Sequence, residues 1–185
     1  MTIDSDDRAD LLALARTSIE RALQTGQLEP APTVTSPALQ LPRATFVTLQ
    51  THHALRGCCG SIEPRWTLAE DVWRNAWASA FADPRFPPLA AQEYADIDVH
   101  ISVLSPLERV PVTSERELLS ALRPRVDGLL LALGASRATF LPVVWESLPD
   151  PLEFVRQLKL KAGWRSDFWS PQIEVWRYQT ESFGS

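Results

Sequence analysis

Cysteine is nearly absent from this chain, and its placement excludes a disulfide framework. The two cysteines, Cys58 and Cys59, are adjacent. Neighbouring Cα atoms lie about 3.8 Å apart, short of the ~4.4 Å an unstrained disulfide needs, so both thiols are expected to be free. Only three histidines are present, and no C-x-x-C or H-x-x-x-H spacing occurs, so no metal site is expected. Glycine is scarce too, with seven in 185 residues. No glycine-rich loop follows any predicted strand, which removes the usual nucleotide signature, and no cofactor is expected. There is no Lys/Arg block and the net charge is -5, so nucleic acid is not an expected partner. No apolar run approaches the ~18 residues of a membrane span. The first residues, Met1 to Asp7, are acidic and polar, unlike a secretory signal. The expected location is the cytoplasm, where thiols stay reduced.

What is present reads as one globular chain: 45% hydrophobic, 22% charged and 15 prolines. Leu12, Ala15, Ile19 and Ala22 recur at helical spacing and predict a helix over Asp6–Thr25, stopped by Gly26. Residues 1–5 are expected to fray, and 6–183 to form a single domain. Four prolines between Glu29 and Pro42 make that segment an extended connector. Ala44–Leu49 and Ala54–Ile62 read as a hairpin with His52 and His53 at its tip. Thr67-Leu68-Ala69-Glu70 is a capping box opening a helix to about Ala82, apolar almost all round and therefore expected between layers. Asp96–Leu104 alternates as a strand with Ile97, Val99, Ile101 and Val103 on one face. Further signals predict a helix after Ser114, a hairpin around Gly134, a helix after Asp150 and a final strand over Ile173–Tyr178. The fold class is α+β, a mostly antiparallel sheet with flanking helices. The seven tryptophans are expected to be mainly core, including Trp73 and Trp77 one helical turn apart.

The densest chemistry is Leu55-Arg56-Gly57-Cys58-Cys59-Gly60. In an extended strand Arg56 and Cys58 share one face, while Leu55 and Cys59 share the other. Cys59 then behaves as a small buried hydrophobe. A guanidinium beside Cys58 favours its thiolate, the form that attacks electrophiles. Gly57 and Gly60 leave room beside the thiol for a ligand or another backbone, or else serve a bulge or turn. His100 lies on the polar face of its strand and is the candidate base for Cys58, or else a half-exposed sheet histidine. Asp83 and Arg85 flank Pro84, so Arg85 is a candidate anion clamp, or else part of a pair that pins its own loop. Phe86 is expected in the core.

The order of several segments resembles the AMMECR domain family, whose prokaryotic members are called AmmeMemoRadiSam system protein A. The matching pieces are Ala44–Leu49, Leu55–Gly60, Leu68–Val72, Asp83–Phe86, Ile101–Pro106, Phe140–Pro142 and Lys161–Gly163. The resemblance implies two unequal lobes with the six-residue motif near a cleft between them. It also implies, through genome context, association with a Memo-like protein and a radical SAM protein. Two positions depart from the family pattern: Cys59 stands where isoleucine is usual, and His100 where an acidic residue is frequent. Two functions stay open. One is a binding or scaffold component working with those partners through the Leu55–Gly60 segment. The other is an enzyme using Cys58 with Arg56 on a small anionic substrate or in macromolecule modification. Weak self-association is also left open.

Overall fold

Each described α-helix begins where a side chain replaces the missing backbone partner. In a computed structural model that describes residues 3–184, helix α1 (Ser5–Thr25) is capped by Asp4, which accepts the Asp7 N–H, and closes on Gly26 at φ 77°. The Ile3 N–H donates to Glu181 at 3.0 Å, and Arg8 pairs with the same carboxylate. Met1 and Thr2 lie outside the described residues.

Strand β1 (Thr45–Thr51) and strand β2 (Ala54–Gly60) form the expected hairpin. His52 and His53 make its turn, both at positive φ, 52° and 64°. That is the pattern of a type I′ turn, which suits the twist of a hairpin but which glycine and asparagine fill more easily. The double substitution His52→Asn/His53→Gly is expected to stabilise the protein by about 1 kcal/mol, read as a raised midpoint in thermal unfolding.

Helix α2 (Leu68–Phe81) is capped by Thr67 and packs between α1 and the β1–β2 hairpin. It is not apolar all round as expected. Asp71 and Ser79 are buried beside the apolar core. Together with Asn75, and with Asp83 just past the helix end, they form a line of polar side chains, each making hydrogen bonds to β1 or β2. Strand β3 (Ile97–Leu104) follows a short 3-10 helix, Ala91–Asp96, and buries Ile97, Val99, Ile101 and Val103.

The chain then leaves this unit at Leu104 and builds a second over Ser105–Thr180. That unit contains β4 (Glu108–Arg109), α3 (Glu115–Ala121), β5 (Gly128–Leu133), β6 (Ser136–Phe140), α4 (Pro151–Lys161) and β7 (Glu174–Tyr178). Its core includes Trp145 stacked on Phe154 at 3.8 Å between ring centroids. A last strand, β8 (Thr180–Gly184), belongs to the sheet of the first unit.

The α+β architecture agrees with the sequence, but the strands divide between two four-stranded sheets, ordered β2-β1-β3-β8 and β4-β7-β5-β6. Alternation marks a strand without naming its neighbour, and β4 and β8 are too short or too polar to announce themselves.

Candidate functional site

Strand β2 is an edge, and Cys58 sits where its backbone faces outward. The Cys58 N–H donates to Asp83 Oδ2 at 2.9 Å, and its carbonyl accepts from Arg85 Nη2 at 3.2 Å. Asp83 and Arg85 are locked to each other as well. The Arg85 N–H and Nε donate to Asp83 Oδ1 at 3.1 and 2.9 Å, and Nη2 donates to Oδ2 at 2.6 Å. Pro84 between them stiffens the loop. Arg85 and this shared hydrogen bonding hold the buried Asp83 carboxyl well below the usual carboxylate range. These contacts are those of a pair that pins its own loop: Arg85 is held by Asp83, and 54% of its side chain remains in solvent.

The Cys58 thiol points to the sheet face opposite α2. Thr48 stands directly across on β1, and its hydroxyl donates to Sγ at 3.3 Å. His100 is opposite Thr48 on the far side, on β3. The three form a row, with β1 between the thiol and the imidazole. Two strand spacings put their backbones about 9–10 Å apart. Among the described residues no hydrogen bond joins His100 to Cys58. The nucleophile–base pair considered from sequence is thus not assembled, because β3 neighbours β1 and not β2.

Arg56 is also drawn elsewhere. The register shifts between Leu49 and Gln50, opposite Gly57 and Leu55, leaving Arg56 as the extra residue of a bulge. That breaks the alternation on which the Arg56–Cys58 shared face rested. Its guanidinium makes a two-pronged pair with Glu93, Nε to Oε1 at 2.6 Å and Nη2 to Oε2 at 3.0 Å. The Arg56 side chain is 11% exposed, so the pair is sheltered. Phe86 is half-buried, not core. The Arg56 guanidinium lies 6.0 Å and that of Arg85 5.6 Å from its ring centroid, cation–π contacts that account for its place.

Arg56, with help from the Ala90 N–H, brings the Glu93 carboxyl down to about 2. A carboxyl depressed by folding adds stability above its ordinary value of 4.5, and that stability fades as pH falls toward 2. Glu93→Gln is expected to lower stability at pH 7 by about 1 kcal/mol, a modest figure because a third of the Glu93 side chain is in solvent. The difference from the parent protein should shrink between pH 4.5 and 2, as denaturant titrations at each pH would read.

The glycines answer to packing within the unit. A Cβ on Gly57 would sit 2.0 Å from the Ser79 carbonyl oxygen, and one on Gly60 would sit 2.3 Å from the Phe46 ring and 2.6 Å from the Thr45 carbonyl oxygen. Gly57 thus lets the end of α2 lie against β2, rather than admitting a ligand. Ser79 uses that closeness. Its hydroxyl accepts the Cys59 N–H at 2.8 Å and donates to the Val47 carbonyl at 2.7 Å, bridging the two strands. Cys59 is half-buried, and burial first, then nearby Asp83 and Cys58, push its thiol up. It is not a candidate nucleophile.

Thr48, Ser79 and Glu93 escaped the sequence reading. Thr48 was legible in principle as the polar-face residue of β1, once the hairpin register is known. Glu93 left no local signal. Among the described residues no three His, Cys, Asp or Glu side chains come together as metal ligands.

The sequence pattern of the AMMECR1 family matches residues 12–183. The chain belongs to the AMMECR1 family. A relative from Methanothermobacter thermautotrophicus is 36% identical over 183 residues, covering 98% of this chain and 95% of its own. One from Thermotoga maritima is 36% identical and covers 89% and 91%. The crystal structure of the uncharacterised protein PH0010 from Pyrococcus horikoshii superposes with a TM-score of 0.87 at 34% identity, over 95% of this chain and 89% of that one. AMMECR1 membership thus extends over both units, and the α+β fold of two units is shared with a solved relative.

Proposed function

We propose that this AMMECR1-family chain is a binding component that docks a partner protein on the surface around Cys58, and is not a self-sufficient enzyme. The observation that carries this reading is that the charges framing the thiol are paired within the chain, Arg56 with Glu93 and Asp83 with Arg85. Nucleophilic catalysis needs a base within about 2.6–3.2 Å of the nucleophile, and the group at Sγ is the Thr48 hydroxyl. Paired charges on a rigid loop suit recognition, because little side-chain freedom is lost on docking. The exposed Leu55 and Arg85 offer the apolar and guanidinium contacts that protein interfaces favour.

The partners to which the family resemblance points are a Memo-like protein and a radical SAM protein. The test is titration calorimetry of the purified chain against each. Leu55→Asp and Arg85→Ala are expected to weaken binding by roughly tenfold or more. Binding unchanged in both variants would remove the surface around Cys58 from the interface.

One observation favours the second reading, an enzyme using Cys58. The Thr48 hydroxyl donates to its sulfur at 3.3 Å, so the thiol has a polar partner on its own sheet face. Iodoacetamide labelling of a Cys59→Ala variant across pH decides this point. An apparent pKa clearly below the ~8.5 of a free thiol supports the enzyme; a value at or above it, with slow labelling, ends that reading.

A further inference from the structure

Edge strands are usually blunted by charged side chains, prolines or short length, because a free row of N–H and C=O groups recruits another strand. The stretch Gly57-Cys58-Cys59-Gly60 carries neither charge nor proline, only two glycines and two thiols. It is nevertheless the outer edge of the first sheet. Its outward N–H and C=O at Cys58 meet Asp83 Oδ2 and Arg85 Nη2.

A neighbouring antiparallel strand would present the same thing, one residue's carbonyl oxygen to that N–H and its N–H to that carbonyl. Here a carboxylate and a guanidinium play the two parts, joined to each other at 2.6 Å. Bonds that carry charge are stronger than peptide–peptide bonds, so an incoming strand gains little by displacing them. The Arg56 bulge bends the strand immediately before this stretch and confines the pairing-competent part to it.

We propose that Asp83 and Arg85 form a side-chain cap that stands in for a fifth strand and prevents β2 from pairing with β2 of a second copy of this chain. The cap goes beyond the docking reading and does not depend on it. The uncapped pairing would be isologous, with the twofold axis passing beside Cys58. Each Cys58 would then face its counterpart at a Cα separation of about 5.5 Å, within reach of a short bis-maleimide.

The experiment uses the full chain carrying Cys59→Ala, so that Cys58 is the single thiol. Asp83→Ala/Arg85→Ala is compared with this parent by sedimentation velocity and by bis-maleimide cross-linking, with circular dichroism as the control for folding. The capped parent is expected to stay monomeric at concentrations where the double variant dimerises, and cross-linking through Cys58 is expected to rise roughly tenfold. A folded double variant with the parent's sedimentation and cross-link yield overturns the proposal. So does a dimer that cannot be linked through Cys58. If the double variant does not fold, Arg85→Ala alone decides. It frees the Cys58 carbonyl at an exposed side chain, and a cross-link yield no higher than the parent's overturns the cap.

Discussion

Gly57→Ala is expected to destabilise the protein by about 3–5 kcal/mol, enough to leave little folded chain at ~37 °C. The added methyl would come 2.0 Å from the Ser79 carbonyl oxygen, which is backbone within α2 and has no rotamer to change. Relief requires α2 to back away from β2. That movement would pull Ser79 out of its bridge between Cys59 and Val47, and Asp83 off the Cys58 N–H. Gly26→Ala is the contrast. Gly26 has φ 77° but nothing within 4 Å of a Cβ, so the cost there is conformational alone, about 1 kcal/mol. Urea unfolding of the two variants should separate them by several kcal/mol; equal effects would mean that the α2–β2 approach tolerates a methyl group.

Asp71→Ala carries the second large effect, a loss of about 3–5 kcal/mol. The carboxylate is 1% exposed and accepts from the Thr45 N–H at 2.8 Å, the Thr45 hydroxyl at 2.6 Å and the Asn75 amide at 2.9 Å. The Ser61 hydroxyl reaches it as well, at 2.8 Å. Alanine leaves these donors facing a void. Burial pushes the Asp71 carboxyl up, while the bonds from Thr45, Ser61 and Asn75 pull against it. A carboxyl raised by folding favours the folded state most below its ordinary value, 3.8, and that contribution is lost as pH rises through the folded value. Asp71 and Glu93 should therefore tilt the stability profile in opposite directions. Denaturation of Asp71→Ala at pH ~7 gives the loss directly, and a change under about 1 kcal/mol would show that water takes over the orphaned donors.

Local chemistry was legible in the sequence. Thr67, Ser114 and Asp150 each accept the N–H three residues on, as their capping signals indicate. The alternation in β3 placed four residues correctly in the core. Non-local pairing was not legible. Nothing near His100 says that β1, not β2, will be its neighbour, and this one fact separates it from Cys58. The bulge at Arg56 arises from how β2 meets β1, so counting alternate residues along β2 could not foresee it. Simple alternation predicts Arg56 beside a thiol, yet it is held by Glu93, 37 residues later in a short 3-10 helix without a hydrophobic repeat.

Asp71, Asn75, Ser79 and Asp83 recur at every fourth position, and their partners run from Thr45 and Ser61 to Val47, Cys59 and Cys58. The spacing works as a ruler laid along the hairpin. One residue inserted early in α2 would turn everything beyond it by about 100° and misplace the later marks together. Length changes inside this helix should therefore be poorly tolerated, because a single insertion moves the contacts of Asn75, Ser79 and Asp83 all at once.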